Sequence, residues 1–194
     1  MYDTVVPETD RVGLELSFTV AAAPPGSSTM NPITAGTTLR SGSNLYFSVR
    51  PTKQAHVYIY QQDAAGAVNV LFPHPQLPMT NPIAADKEVR IPPAPGTFKL
   101  NDKDIGVENV YIVGSLEPLP QLGAALAKPE TTVEELGCAA RSLEFNAGGT
   151  CEGGARGLEF NPGEEGAPTG ISMHAKSAAG DNRIVQVFSF RHEK

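Results

Sequence analysis

No run of about 18 consecutive apolar residues occurs in this 194-residue chain, so the sequence encodes no membrane-spanning helix. Charged residues are also sparse, at 19% against the usual quarter. The 15 basic residues are outnumbered by 21 acidic ones, for a net charge of −6, and they nowhere cluster. Phosphate recognition needs clustered Lys and Arg to displace counterions, so nucleic acid is excluded as a partner. A mildly acidic surface serves solubility. There is no Asn-x-Ser/Thr sequon, and the opening residues MYDTVVPETD have neither a basic n-region nor an apolar h-region. Two readings of compartment stay open: the chain works in the cytoplasm, or an export signal has been removed ahead of Met1.

Cysteine is nearly absent. The two present, Cys138 and Cys151, lie beside Gly-rich sequence late in the chain. A bridge between them would close a loop of roughly 14 residues, worth about 3 kcal/mol by chain entropy. Two free thiols are the alternative.

Chain punctuation is plentiful. Gly 19 and Pro 17 together approach a fifth of the sequence, which excludes a long-helix bundle or coiled coil and points to short elements with frequent turns. Residues 12–20 (VGLELSFTV) alternate apolar and polar, the period of a half-buried strand. Residues 21–36 have no periodicity and read as a loop or linker. NLYFSVR (44–50) is a strand stopped by Pro51. HVYIYQQ (56–62) is apolar on both faces and reads as a central strand. With the Asp63–Gly66 turn and AVNVLF (67–72) it makes a hairpin. Short strands follow at 88–91 and 97–100, and a strong one at 108–115.

The texture then changes. Leu119, Leu122 and Leu126 have helical spacing, and Thr132 to Glu135 form a capping box that opens a second short helix over about 133–141. Residues 144–170 are Gly-rich and polar. Ile171–Lys176 and Arg183–Arg191 flank a Gly-Asp turn and read as a closing hairpin, with Ile184, Gln186, Phe188 and Phe190 on one face. Hairpins at close spacing, without βαβ alternation, predict one mainly β domain over 1–194, an antiparallel β-sandwich or partly open barrel with a helical, Gly-rich insertion over 116–170.

Residues 36–115 resemble a bacterial domain-of-unknown-function family, four-three-eight-four. The resemblance rests on Gly42 with Leu45–Pro51, Val57–Tyr60, Asp63 and Gly66, Val70–Pro73, Asn81–Ile83, Val89–Pro92 and Gly106–Val110. The terminal Val187–Arg191 is similar to the end of myxobacterial-type members. The resemblance implies an immunoglobulin-like sandwich and a bacterial cell-envelope setting, in the periplasm or outer membrane, with a lipid anchor upstream of Met1. It implies no activity.

No motif points to chemistry. Neither cysteine sits in a nucleophile signature, and His56, His74, His174 and His192 are scattered. Asp102, Asp104 and Glu108 offer three carboxylates, but without EF-hand spacing and with Lys103 among them, so an Asp/Asn-rich turn is the plainer reading. The Gly-rich 148–154 lacks the Gly-Lys-Ser/Thr end of a P-loop, and there is no Gly-x-Ser-x-Gly. Tyr46, Tyr58, Tyr60 and Tyr111 fall on neighbouring strand candidates. They form either a recognition surface or the packing under the two helices. The expectation is a non-enzymatic protein-interaction or structural module of an envelope assembly, with no cofactor and no metal. It would bind through a sheet edge or the loops 73–87 and 144–170. A regulatory domain for a small ligand or glycan is the alternative, and a hydrolase the third.

Overall fold

A computed structural model of the chain describes residues 13–102, 105–122, 173–176 and 182–194. The first strand, β1 (Glu15–Ala23), follows the alternation: Leu16, Phe18 and Val20 are buried and Glu15, Ser17 and Thr19 half-buried. It starts and ends three residues later than the sequence pattern suggested and takes in Ala21–Ala23. Small alanines fit either face of a sheet, and these are held by β4 (Asn44–Pro51) on one side and β2 (Asn31–Ile33) on the other. The stretch expected to be a loop over 21–36 therefore contributes to two strands.

The first sheet runs β10 (Met173–Lys176), β1, β4, β7 (Val89–Ile91), with β2 also beside β1 and β8 (Phe98–Lys99) also beside β4. The second runs β3 (Thr38–Arg40), β11 (Arg183–Glu193), β9 (Gly106–Ser115), β5 (His56–Gln62), β6 (Val68–Phe72). With β1, β4 and β7 as strands A, B and E, and β5, β9 and β11 as C, F and G, this is the immunoglobulin-like sandwich arrangement. One pairing departs from the antiparallel expectation: β3 runs parallel to β11.

The closing segments do not form a hairpin. β10 pairs with β1 in the first sheet, Glu15 opposite Lys176, and β11 pairs with β9 in the second from Arg183 to His192. Each segment has the local signature of a hairpin arm. Pairing was decided instead by which strand edge stood open next to each apolar face, a nonlocal matter.

Between the sheets lies the main core, built on Leu16, Phe18, Phe47, Ile59, Phe72, Ile112 and Phe188 among others. A second cluster, Tyr58, Tyr60, Val113, Leu119 and Leu122, covers the outer face of the second sheet. β5 is thus buried on both faces, as its sequence predicted. Residues 120–122 begin a helical turn. Leu126, the expected helix over 133–141, the Gly-rich 144–170 stretch and both cysteines lie outside the described residues.

Candidate functional site

The parallel pairing of β3 with β11 creates the most polar buried site among the described residues. Beyond Arg40 the chain turns back into β4, closing the turn with Ser43 N–H donating to Arg40 O at 2.9 Å. Gly42 takes φ +85° there, the third-position geometry of a type II turn. Gly42 N–H donates to Leu100 O, and Leu100 N–H to Ser43 O, so the turn is tied down on both sides. Ser41 N–H donates to Glu193 O at 2.7 Å, carrying the β3–β11 ladder one residue further.

That register puts Ser41 Oγ 3.0 Å from Nε2 of His192. The other ring nitrogen, Nδ1, is 3.1 Å from Glu108 Oε1, and Glu108 Oε2 accepts a bond from Gln61 Nε2 at 2.6 Å. His192 and Glu108 are 1% and 2% exposed. Glu108 stands opposite Phe190 and His192 opposite Gly106, so the two are diagonal neighbours on one face of the β9–β11 pair. A carboxylate only accepts hydrogen bonds, so Nδ1 carries a proton, and the protonation of the ring sets whether Nε2 accepts from the Ser41 hydroxyl or donates to it. Ser41 Oγ also lies 3.4 Å from Glu193 O, a poorer contact than the one to the imidazole.

Gly106 is required where it stands. Its φ is +151°, and a Cβ there would come 2.7 Å from Ala64 Cβ, in the β5–β6 turn. Beside the Glu108–His192 pair is a cavity of about 60 Å³, bounded also by Gln61, Asn69 and Lys99. That is room for about two waters. Ser41 faces an adjoining open concavity with Gly42, Lys99 and Asn101. The hydroxyl, imidazole and carboxylate are ordered as a proton relay needs, and the same bonds fasten the turn, β9 and β11 to one another.

The four tyrosines separate. Tyr46 is in the first sheet, under the Arg90 guanidinium at 4.2 Å from its ring centre. Tyr58, Tyr60 and Tyr111 come together on the outer face of the second sheet. Tyr58 is buried and its hydroxyl accepts Leu119 N–H at 2.9 Å. Tyr60 is fully buried and stacks on Tyr111, with ring centres 4.8 Å apart and planes 5° from parallel. Among the described residues the Tyr60 hydroxyl has no hydrogen-bond partner. Burial, with the neighbouring Tyr111 second, pushes its pKa well above the ordinary value; burial also raises that of Tyr111.

Of the three acidic residues considered for a metal, Asp102 is exposed, Glu108 is turned inward to His192 and Gln61, and Asp104 lies outside the described residues. Among the described residues no three His, Cys, Asp or Glu side chains are grouped to hold a metal. Ser41 and His192 escaped the sequence reading because they stand 151 residues apart. One signal was there: His192 continues the inward series Ile184, Gln186, Phe188, Phe190, and a histidine in an apolar series needs a partner.

Residues 38–118 match the family model described as Domain of unknown function (DUF4384). No curated protein and no solved structure matches the chain. The matched stretch holds β3 to β9, with Ser41 and Glu108, whereas β1, β2, β10, β11 and His192 lie outside it.

Proposed function

We propose, starting from the match of residues 38–118 to this domain-of-unknown-function model, that the protein is an interaction module that takes an extended segment of a partner protein along β6. The observation that carries this reading is the state of that strand. β6 is the last strand of the second sheet and, among the described residues, pairs only with β5. Its sequence, VNVLF, holds no charge and no proline, the usual means by which an edge is kept from pairing. An added strand gains main-chain hydrogen bonds there, and alternate side chains supply selectivity.

The treatment of the neighbouring edge supports the same reading. β6 reaches along β5 only to Ile59, and beyond it Asn81 and Ile83 complete the edge of β5. The second half of the 73–87 loop is therefore occupied within the fold. Val107, at the end of β9 near the β5–β6 turn, is 52% exposed and adds apolar surface. The envelope setting, the lipid anchor and the location in the periplasm or outer membrane belong to the same proposal and rest on the family resemblance. No helix among the described residues is long and apolar enough to cross a membrane.

The test uses the full chain as bait on a bacterial envelope extract, beside a Val70→Pro variant, which removes an outward-facing N–H, with a native circular dichroism spectrum. A partner held through β6 is lost with the variant. Equal capture by both proteins removes β6 from the proposal, and cell fractionation tests the location separately.

A further inference from the structure

The Ser41–His192–Glu108 arrangement has a capacity that an interaction module does not use. We propose that Ser41 is an activated nucleophile that accepts an acyl group from carboxylic esters. His192 is its base, and Glu108, held by Gln61, is the positioning residue for the imidazole. Four observations converge. The hydroxyl is 3.0 Å from Nε2, within reach for proton transfer. In the neutral ring the carboxylate on Nδ1, at 3.1 Å, selects the tautomer whose Nε2 accepts. Imidazole and carboxylate are almost wholly out of water, where a charge developing on the ring is best stabilised by its partner. Ser41 lies on a turn pinned by backbone bonds and faces the open concavity, with Lys99 on its wall to offer positive charge to a developing oxyanion.

The step balances without any redox partner. Ser41 Oγ bonds to the acyl carbon, and its proton passes to His192 Nε2. The ester C–O bond breaks, and the leaving oxygen takes the proton from His192. Water, deprotonated by the same nitrogen, then releases the acid and restores the hydroxyl. Ser41 lines the open concavity with Gly42, Lys99 and Asn101, so the acyl group is taken up there.

The experiment treats the full chain with p-nitrophenyl acetate and, separately, with a fluorophosphonate, then maps adducts by peptide mass spectrometry. Ser28, exposed in the β1–β2 connection, is the internal control. The expected result is modification of Ser41 at least about 100-fold faster than of Ser28, the usual contribution of a positioned base. Ser41→Ala abolishes the mapped adduct. Because replacing a buried imidazole also threatens the fold, the base is tested in the unaltered chain. The rate at Ser41 should fall in deuterium oxide, as proton transfer to a base in the transition state requires. Glu108→Gln should lower the rate by about tenfold or more in protein that still unfolds cooperatively. Modification of Ser41 no faster than Ser28, or a rate unchanged in deuterium oxide, overturns the proposal and leaves the relay as a fastening of β3, β9 and β11.

Discussion

The side chain of Asn81 takes up both backbone groups of Val57: its Oδ1 accepts the Val57 N–H at 2.9 Å and its Nδ2 donates to the Val57 carbonyl at 3.0 Å. One amide thereby imitates a strand where β6 has already ended. Asn81→Ala would strand a donor and an acceptor beside a fully buried residue, at about 1–3 kcal/mol each. We expect a loss of about 2–4 kcal/mol in urea denaturation, whereas Asn69→Ala, on an exposed side chain, stays within about 0.5 kcal/mol. Similar midpoints for both would show that water replaces the amide at no cost.

Tyr60 gives a pH prediction. Its pKa is raised in the folded protein, so the native state holds this proton more tightly than the unfolded chain does. No penalty arises below the unfolded value of about 10; stability falls as the pH rises from there toward the folded value. Tyr60→Phe removes a buried hydroxyl that has no partner among the described residues. It should therefore raise stability by about 1 kcal/mol at neutral pH and flatten the loss above pH ~10. Thermal melts from pH 7 to 11 test this, and a destabilised Phe variant would mean that the hydroxyl has a partner after all.

Gly106→Ala meets two obstacles, a φ of +151° and a 2.7 Å approach to Ala64 Cβ. Strained backbone of this kind costs about 1–3 kcal/mol before any clash is counted. The double variant with Ala64→Gly should recover only the clash. Full recovery would place the whole cost in the contact and none in the backbone.

Truncating Glu108 to Ala leaves His192 without its buried acceptor and should cost about 3 kcal/mol in chemical denaturation. Ser41→Ala removes one part-buried bond and should cost about 1 kcal/mol. Equal costs would mean that the carboxylate is far better hydrated than its 2% exposure allows.

The surface ion pairs behave differently. Lys176–Glu15 at 3.0 Å and Arg50–Asp86 at 3.6 Å lie at the surface, with Glu15 alone half-buried among the four side chains. Lys176→Ala should change stability by less than about 1 kcal/mol, and salt should erase that difference. A larger, salt-resistant effect would assign Lys176 a packing role between β10 and β1.

Much of this architecture was written in the residue order. The period of two in β1, β4 and β11, the two apolar faces of β5 and the turns at Asp63–Gly66 come from local sterics and from burying one side of a strand, and such patterns are visible along the chain. Two limits followed from the same logic. Ala21–Ala23 gave no contrast between faces, so the end of β1 was missed. The β10 and β11 segments, each with a sound strand pattern, were joined to each other when each belongs to a different sheet.

The sequence by itself determined that the chain would form short strands with alternating faces, and where most of them lie, because strand formation depends on neighbours one and two residues away. Only the tertiary structure decided which strands pair, and with that the parallel contact of β3 with β11 that brings Ser41, Glu108 and His192 within hydrogen-bond distance. Residues separated by 84 and 151 positions meet through the shared burial of two sheets. No local pattern records that encounter, since the free energy that enforces it belongs to the assembled core.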